Sequence, residues 1–155
     1  MTLRTIGGRT LRDHGSVSQY FQAGDQCLWN PSTGVAELFA ATAEVMVPIA
    51  AKPSGIDGSI IDEYEVDPAL FGAFVDALAR RYLGSNHLIL RSLIEGFLAT
   101  ALVPVDRAGG TVAAMTQDVG LDMRDVSVGP SGARPQGDAT RLSELAATHV
   151  QRMPT

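Results

Sequence analysis

The stretch that decides the fold is SQYFQAGDQCLWNPSTGVAELF, residues 18–39. Its two runs of large side chains, SQYFQ and QCLWN, are joined by three residues that include Gly24, which is a typical β-hairpin signal. Asn30-Pro31 then predicts the start of a helix, because Asn can cap a free backbone amide and Pro has no amide hydrogen to leave unbonded. The stretch therefore predicts a short hairpin followed directly by a helix.

Hydrophobic period predicts two amphipathic helices after the hairpin. The first covers residues 31–47 and ends before Pro48, and the second begins at Asp67-Pro68 and ends at Gly84. In the first helix, the residues expected to be buried are Val35, Leu38, Phe39, Thr42, Val45 and Met46. In the second helix they are Leu70, Phe71, Phe74, Val75, Leu78 and Tyr82.

A third helix, residues 87–103, is apolar nearly all round, which is typical of a helix buried between others. A membrane span is the alternative. At about 24 Å the apolar segment is shorter than a hydrocarbon core of about 30 Å, and Arg91 and Glu95 would lie inside it. We therefore predict a mainly α fold with no membrane span, in which a short N-terminal β-hairpin packs on a three-helix core.

Composition divides the chain into three parts. Residues 1–16 have net charge +2 and no apolar period, so we expect a flexible N-terminal extension. Residues 17–107 form the expected folded helical domain. Residues 108–155 are rich in Gly, Ala, Asp, Ser and Pro, so we expect a largely flexible tail with a candidate helix at 138–153. Residues 17–107 alone should then melt within a few degrees of the full chain.

Charge and cysteine content exclude several classes of function. The chain has net charge -5, which disfavours nucleic-acid binding. Its one cysteine, Cys27, can form no intrachain disulfide, and the N-terminus has no apolar run of a secretory signal, so we expect a cytoplasmic protein. No phosphate-binding glycine motif, zinc-ligand spacing or catalytic triad is visible. We therefore predict no cofactor, no metal and no catalytic residue.

The stretches SQYFQAGDQCLWNPSTGVAELF, EYEVDPALFGAFVDALARRY and HLILRSLIEGFLATALV together resemble a family of small actinobacterial proteins of the Streptomyces type, known as a domain of unknown function. The resemblance covers about residues 17–107. It supports the boundaries of the predicted domain and implies no activity and no catalytic residue.

An acidic segment, residues 61–67, carries Asp62, Glu63 and Glu65. We interpret it as a solvated loop that starts the second helix. A patch that contacts a partner is one alternative, and a site for a hard cation such as calcium or magnesium is another, because such ions prefer several oxygen ligands.

Four further residues are candidates for contact with a ligand or partner. Trp29 is expected either as a lid where hairpin meets helix or as a contact face. Arg91 and Glu95, one turn apart, either form a mutual or interhelical pair or provide the polar floor of a pocket. Tyr82 would be a wall of that pocket.

Two classes of function remain open. The first is a non-catalytic protein-interaction domain, of adaptor or immunity type, that binds a protein partner or forms a homodimer. The second is a small-molecule-binding protein or enzyme with a pocket among the three helices. The absence of catalytic motifs favours the first.

Overall fold

The structure is a computed structural model that describes residues 19–60, 62–129, 132–133 and 136–155. The expectation for residues 1–16 lies outside the described residues. In chain order the elements are β1 (Tyr20–Ala23), β2 (Gln26–Trp29), α1 (Thr33–Ala50), β3 (Ile56–Ile60), β4 (Glu63–Val66), α2 (Pro68–Gly84), α3 (Leu88–Arg107), a 3-10 turn (Ala113–Met115), β5 (Val128–Gly129), β6 (Gly132–Ala133) and α4 (Ala139–Val150). The fold is mainly α, with a small N-terminal sheet.

The predicted hairpin is confirmed, but it forms only half of a four-stranded sheet of order β2-β1-β4-β3. β1 pairs antiparallel with β2 and parallel with β4, and β4 pairs antiparallel with β3. Gly24 adopts φ +56° in the first turn, a conformation that glycine adopts without strain. The second hairpin, β3–β4, was not predicted.

The interpretation of residues 61–67 as a solvated loop was wrong, because the segment contains β4. Along this strand Glu63 and Glu65 are exposed, whereas Tyr64 is half-buried and Val66 is buried. This alternation is the period of a strand with one face on the core. The acidic residues obscured it, since Glu is disfavoured in strands.

An aromatic cluster joins the sheet to α1. The Phe21 ring lies 4.6 Å from Tyr64 and 5.5 Å from Trp29, centroid to centroid, in stacked arrangements. Phe39 of α1 meets both Phe21 and Trp29 edge-on, at 5.3 and 5.2 Å. Offset-stacked and edge-on contacts are the arrangements that aromatic rings prefer, so this cluster fixes the position of α1 on the sheet.

α1 differs from its prediction at both ends and in its buried face. It begins at Thr33, after the cap residue Ser32 rather than Asn30, and continues through Pro48 to Ala50. Its buried residues are Ala36, Phe39, Ala43, Met46 and Ala50. Val35, Leu38 and Val45, which we expected to be buried, are exposed. The small alanines allow close packing, and the larger aliphatic residues lie on the outer side.

α2 begins as predicted. The Asp67 carboxylate accepts hydrogen bonds from the amides of Ala69 and Leu70, both at 2.9 Å, and the helix ends at Gly84. Its predicted stripe is buried except for Leu70, which is exposed. The Asp67-Pro68 signal therefore predicted the start of α2 correctly, because the cap depends only on residues next to it in sequence.

α3 is longer than predicted and less buried. It continues through Pro104 to Arg107, and the imidazole of His87 caps its first turn by accepting from Leu90 N at 3.3 Å. Leu88, Ile89 and Leu93 are exposed, so the expectation that this helix is buried on every side was wrong for its first half.

The segment that we expected to be a largely flexible tail packs on the helical core. α4 lies where the candidate helix was predicted and packs along α3. Its residue Leu142 is fully buried in the core. The Arg107 guanidinium donates to Leu28 O at 2.7 Å and to Met153 O at 2.6 Å. α4 is thus a fourth helix of the core, and the predicted three-helix core is incomplete.

The loop before β5 is also attached to the core. The buried amide of Asn86 donates to Ser127 O at 3.0 Å and accepts from Ser127 N at 2.9 Å. Arg81, itself buried, forms an ion pair with Asp122 at 2.7 Å and another with Asp125. These contacts hold residues 122–127 against the end of α2.

Candidate interaction surface

The outer side of α1 exposes large aliphatic side chains. Leu38 is 69% exposed, Val45 is 71% exposed and Val35 is 47% exposed. They share one side of the helix, since they lie three and seven residues apart. Glu37 and Glu44, the only acidic residues of α1, lie about 80–100° further round the helix.

The first half of α3 exposes a second set of such side chains, Leu88, Ile89 and Leu93. α1 and α3 touch at the stacked rings of Phe39 and Phe97, 5.0 Å apart. Val35 and Leu93 each lie one helical turn before the phenylalanine of their own helix, and Ile89 lies one turn before Leu93, so these residues flank the contact. Leu88 lies seven residues before Glu95 and is on the opposite side of α3. We call Val35, Leu38, Val45, Ile89 and Leu93 the α1–α3 face.

The charged residues of α1 and α3 are directed away from this face. The Glu44 carboxylate accepts from the Ser54 hydroxyl at 2.5 Å, in the loop before β3. Glu95 bonds to α2 and α4 rather than to the side occupied by α1. Arg91 lies two residues before Leu93 and is therefore on the opposite side of α3 from it. The α1–α3 face is therefore apolar and carries no charge.

The same two helices pass a simple test for membrane spans. Within the described residues, two helices are long and apolar enough to cross a bilayer, judged by length and composition alone: Thr33–Ala50 and Leu88–Arg107. In the protein, 28% of the most apolar 18-residue stretch of the first helix is buried, and 39% of that of the second. Core helices of globular domains pass this test too. What distinguishes these two is that their apolar surface is partly uncovered.

Tyr82 and Glu95, two of the predicted site residues, lie together. The Tyr82 hydroxyl donates to Glu95 Oε2 at 2.5 Å, and Arg141 of α4 donates to both carboxylate oxygens at 2.8 and 2.9 Å. Burial and the hydrogen bond to Glu95 raise the pKa of Tyr82 to about 12. The hydrogen bond from Arg141 lowers the pKa of Glu95. Sequence reasoning missed Arg141, because it lies 46 positions from Glu95.

Arg91 is close to this group but does not join it. We predicted that Arg91 and Glu95 form a mutual pair, an interhelical pair or the floor of a pocket. Glu95 does form an interhelical ion pair, but its partner is Arg141 and not Arg91. The Nε atom of Arg91 is buried and has no hydrogen-bond partner among the described residues. Its charge nevertheless helps to lower the pKa of Glu95.

The predicted acidic residues lie on and beside β4, one of the two central strands of the sheet. Glu65 accepts from Gly24 N at 2.9 Å and Glu63 accepts from Gln22 Nε2 at 3.5 Å. Asp62 occupies the β3–β4 turn with φ +68°. In the part of the chain that the structure describes, no group of three or more His, Cys, Asp or Glu side chains is placed to hold a metal ion.

Trp29 and Tyr82 lie inside the core, with 5% and 2% exposure. Trp29 thus occupies the lid position between hairpin and α1. The exposed residues that form the α1–α3 face were instead predicted as core. A usable signal was present in α1, whose alanines at positions 36, 43 and 50 form a second stripe beside the larger one. Two apolar stripes on one helix indicate two contact faces.

A cavity of about 420 Å³ lies between α3, the 110–116 segment and α4. It is lined largely by aliphatic side chains and by Asp106. We predicted a pocket among the first three helices, whereas this cavity requires α4 as a wall. None of the seven predicted contact residues lines it.

A family model described as "Family of unknown function" (DUF6086) matches residues 17–155. The match includes residues 108–155, as expected if α4 belongs to the same folded unit as α1 to α3. Comparison with curated proteins and with solved structures finds no match.

Proposed function

The chain belongs to this family of unknown function, and from its exposed surface we propose that it is a non-catalytic protein-interaction domain of adaptor type that forms a homodimer through the α1–α3 face. The single observation that carries the proposal is the exposure of five large aliphatic side chains, on adjoining sides of two touching helices.

The size of the face supports this function. Together the five residues expose on the order of 500 Å², which is within the range of about 300–600 Å² for the largest apolar patch of an ordinary monomer. A standard protein–protein interface uses about 800 Å² from each partner. The face is thus large enough to be the centre of an interface whose rim is polar.

Charge does not prevent a second copy of the chain from being the partner. Two copies with net charge -5 repel each other unless their acidic groups are kept apart. The α1–α3 face has no charged side chain, so two copies can meet there with little repulsion. The acidic residues of β4 lie on the sheet, outside this contact.

We also propose a cytoplasmic location in which this face contacts protein and not lipid. Arg91 and Glu95 lie in the first half of α3, and Glu95 is bonded to α4. A bilayer around α3 would have to displace α4 and break this ion pair, at a cost of several kcal/mol.

The test is the molar mass of the purified protein over a range of concentrations, measured by size-exclusion chromatography with light scattering. We expect a dimer that dissociates on dilution. Leu38→Glu and Leu93→Glu each bring a charge into the contact and should shift the protein to monomer, with at least a tenfold weaker dimer.

Met123→Glu is the matched control, because Met123 is 74% exposed and lies outside the face. This variant should dimerise like the unsubstituted protein. A monomer at every concentration would overturn the proposal, as would a dimer that both face variants leave intact. Flotation with phosphatidylcholine–phosphatidylglycerol vesicles that depends on Leu38 would show that the face binds lipid instead.

A further inference from the structure

The cavity between α3, the 110–116 segment and α4 has the size and shape of a small-ligand site. Its volume of about 420 Å³ falls within the range typical of such sites. Its walls are mainly aliphatic, and they come from three segments: Leu102, Val103 and Val105 of α3; Val112 and Met115 of the loop; and Ala146, Ala147 and Val150 of α4.

Asp106, an exposed residue in the last turn of α3, lines this apolar cleft. Among the described residues, its carboxylate has no hydrogen bond and no ion pair with another side chain. Its neighbour Arg107 does not neutralise it, since the guanidinium is bonded to the carbonyls of Leu28 and Met153. The cleft therefore has one unpaired, solvent-exposed negative charge beside apolar walls.

Two helix ends add to the negative potential. α3 ends at Arg107 and α4 ends at Val150, so the last turns of both helices border the cleft. The C-terminal end of a helix carries partial negative charge and favours cations. The basic residue near the end of α4, His149, is engaged with the Thr100 hydroxyl at 2.9 Å.

We propose that the cleft binds a small primary amine with an aliphatic body, whose ammonium group pairs with Asp106. The aliphatic part would lie against Val105, Val112 and Ala147. The hydroxyls of Thr111 and Ser143, which also line the cleft, can accept the remaining ammonium hydrogens. An anionic ligand would be repelled by Asp106 and by both helix ends.

The proposal is tested with three probes of equal chain length, hexylamine, 1-hexanol and hexanoate, titrated into ¹⁵N-labelled full-length protein at neutral pH. We expect amide shifts at the cleft, with hexylamine binding about threefold more tightly than hexanol because an ion pair with an exposed carboxylate is gained. Hexanoate should bind most weakly.

Three variants make the result specific. Asp106→Asn keeps the shape of the side chain but removes its charge, so hexylamine and hexanol should then bind about equally. Asp118→Asn removes an exposed carboxylate outside the cleft and should leave the preference for amine over alcohol unchanged. Ala147→Phe places a ring in the cleft from an exposed position of α4 and should weaken all three probes.

The proposal is overturned if hexylamine and hexanol bind equally, or if the amine preference survives in Asp106→Asn. Absence of shifts at the cleft with hexylamine up to its solubility limit also overturns it. Because the cleft and the α1–α3 face share no residue, a negative result here leaves the dimer proposal unaffected, and the reverse is equally true.

Discussion

Glu95 of α3 holds Arg141 of α4 through two parallel hydrogen bonds, 2.8 and 2.9 Å long. The same carboxylate accepts from the hydroxyl of Tyr82, so one side chain connects three helices. This arrangement explains why α4 docks at a defined position along α3.

Glu95→Gln should destabilise the protein by about 1–2 kcal/mol at neutral pH, because a charged acceptor of three hydrogen bonds is replaced by a neutral amide. The folded-state pKa of Glu95 is lowered, so its contribution is present above the ordinary Glu pKa. This contribution is lost as the pH falls from the ordinary Glu pKa through the lowered pKa of Glu95.

The measurement is urea unfolding at a series of pH values. Glu95→Gln should show a weaker loss of stability below about pH 4.5 than the unsubstituted protein. Glu144→Gln is the control, because Glu144 is exposed on α4. Equal acid sensitivity in both variants would contradict the assignment.

The docking of α4 reverses our expectation for residues 17–107. We now expect that truncation after Arg107 lowers the melting temperature strongly, because it uncovers the α3 surface on which the fully buried Leu142 packs. Leu142→Ala in the full chain should cost about 2–5 kcal/mol. Leu121→Ala, at a residue that is 40% exposed, should cost less than about 1 kcal/mol. Thermal unfolding followed by circular dichroism distinguishes these outcomes.

Tyr82 should ionise late in an alkaline titration. Its folded-state pKa is raised to about 12, so the stabilisation from its neutral hydroxyl is complete below the unfolded value near 10. It is lost as the pH rises through about 12. Absorbance at the tyrosinate band should therefore show a late step that disappears in Tyr82→Phe and persists in Tyr20→Phe. A late step in Tyr82→Phe would refute the prediction.

Gly55 should tolerate no side chain. Its φ is +71°, and a Cβ atom there would lie 2.7 Å from Phe71 N and 2.8 Å from Leu70 Cβ. Gly55→Ala should therefore cost about 2–4 kcal/mol from strain and overlap. Gly72→Ala is the counterpart inside α2, where a Cβ meets nothing within 4 Å, and it should stabilise by about 0.5–1 kcal/mol. Chemical denaturation of both variants gives the comparison.

Local signals in the sequence predicted local structure well. Asp67-Pro68 starts α2, and Asp138 caps α4 by accepting from Thr140 N at 2.8 Å. The first hairpin, with Gly24 in its turn, formed as expected. In each case the residues that form the feature lie within a few positions of each other.

Features that depend on distant parts of the chain were not predicted. Whether Leu38 or Ala36 of α1 faces the core depends on where the sheet and α2 lie, and helical period alone cannot choose between adjacent apolar stripes. Likewise, α4 is marginal in isolation and becomes stable through Leu142 and Arg141, whose partners lie on other helices.

The parallel pairing of β1 with β4 has a kinetic consequence. Tyr20 and its partner Glu63 lie 43 positions apart, so this pairing must wait until α1 has brought the second hairpin to the first. Contacts between distant positions slow folding, because the intervening chain must be ordered before they form. We expect the two hairpins and the helices to form early and the β1–β4 contact, which completes the sheet, to form late.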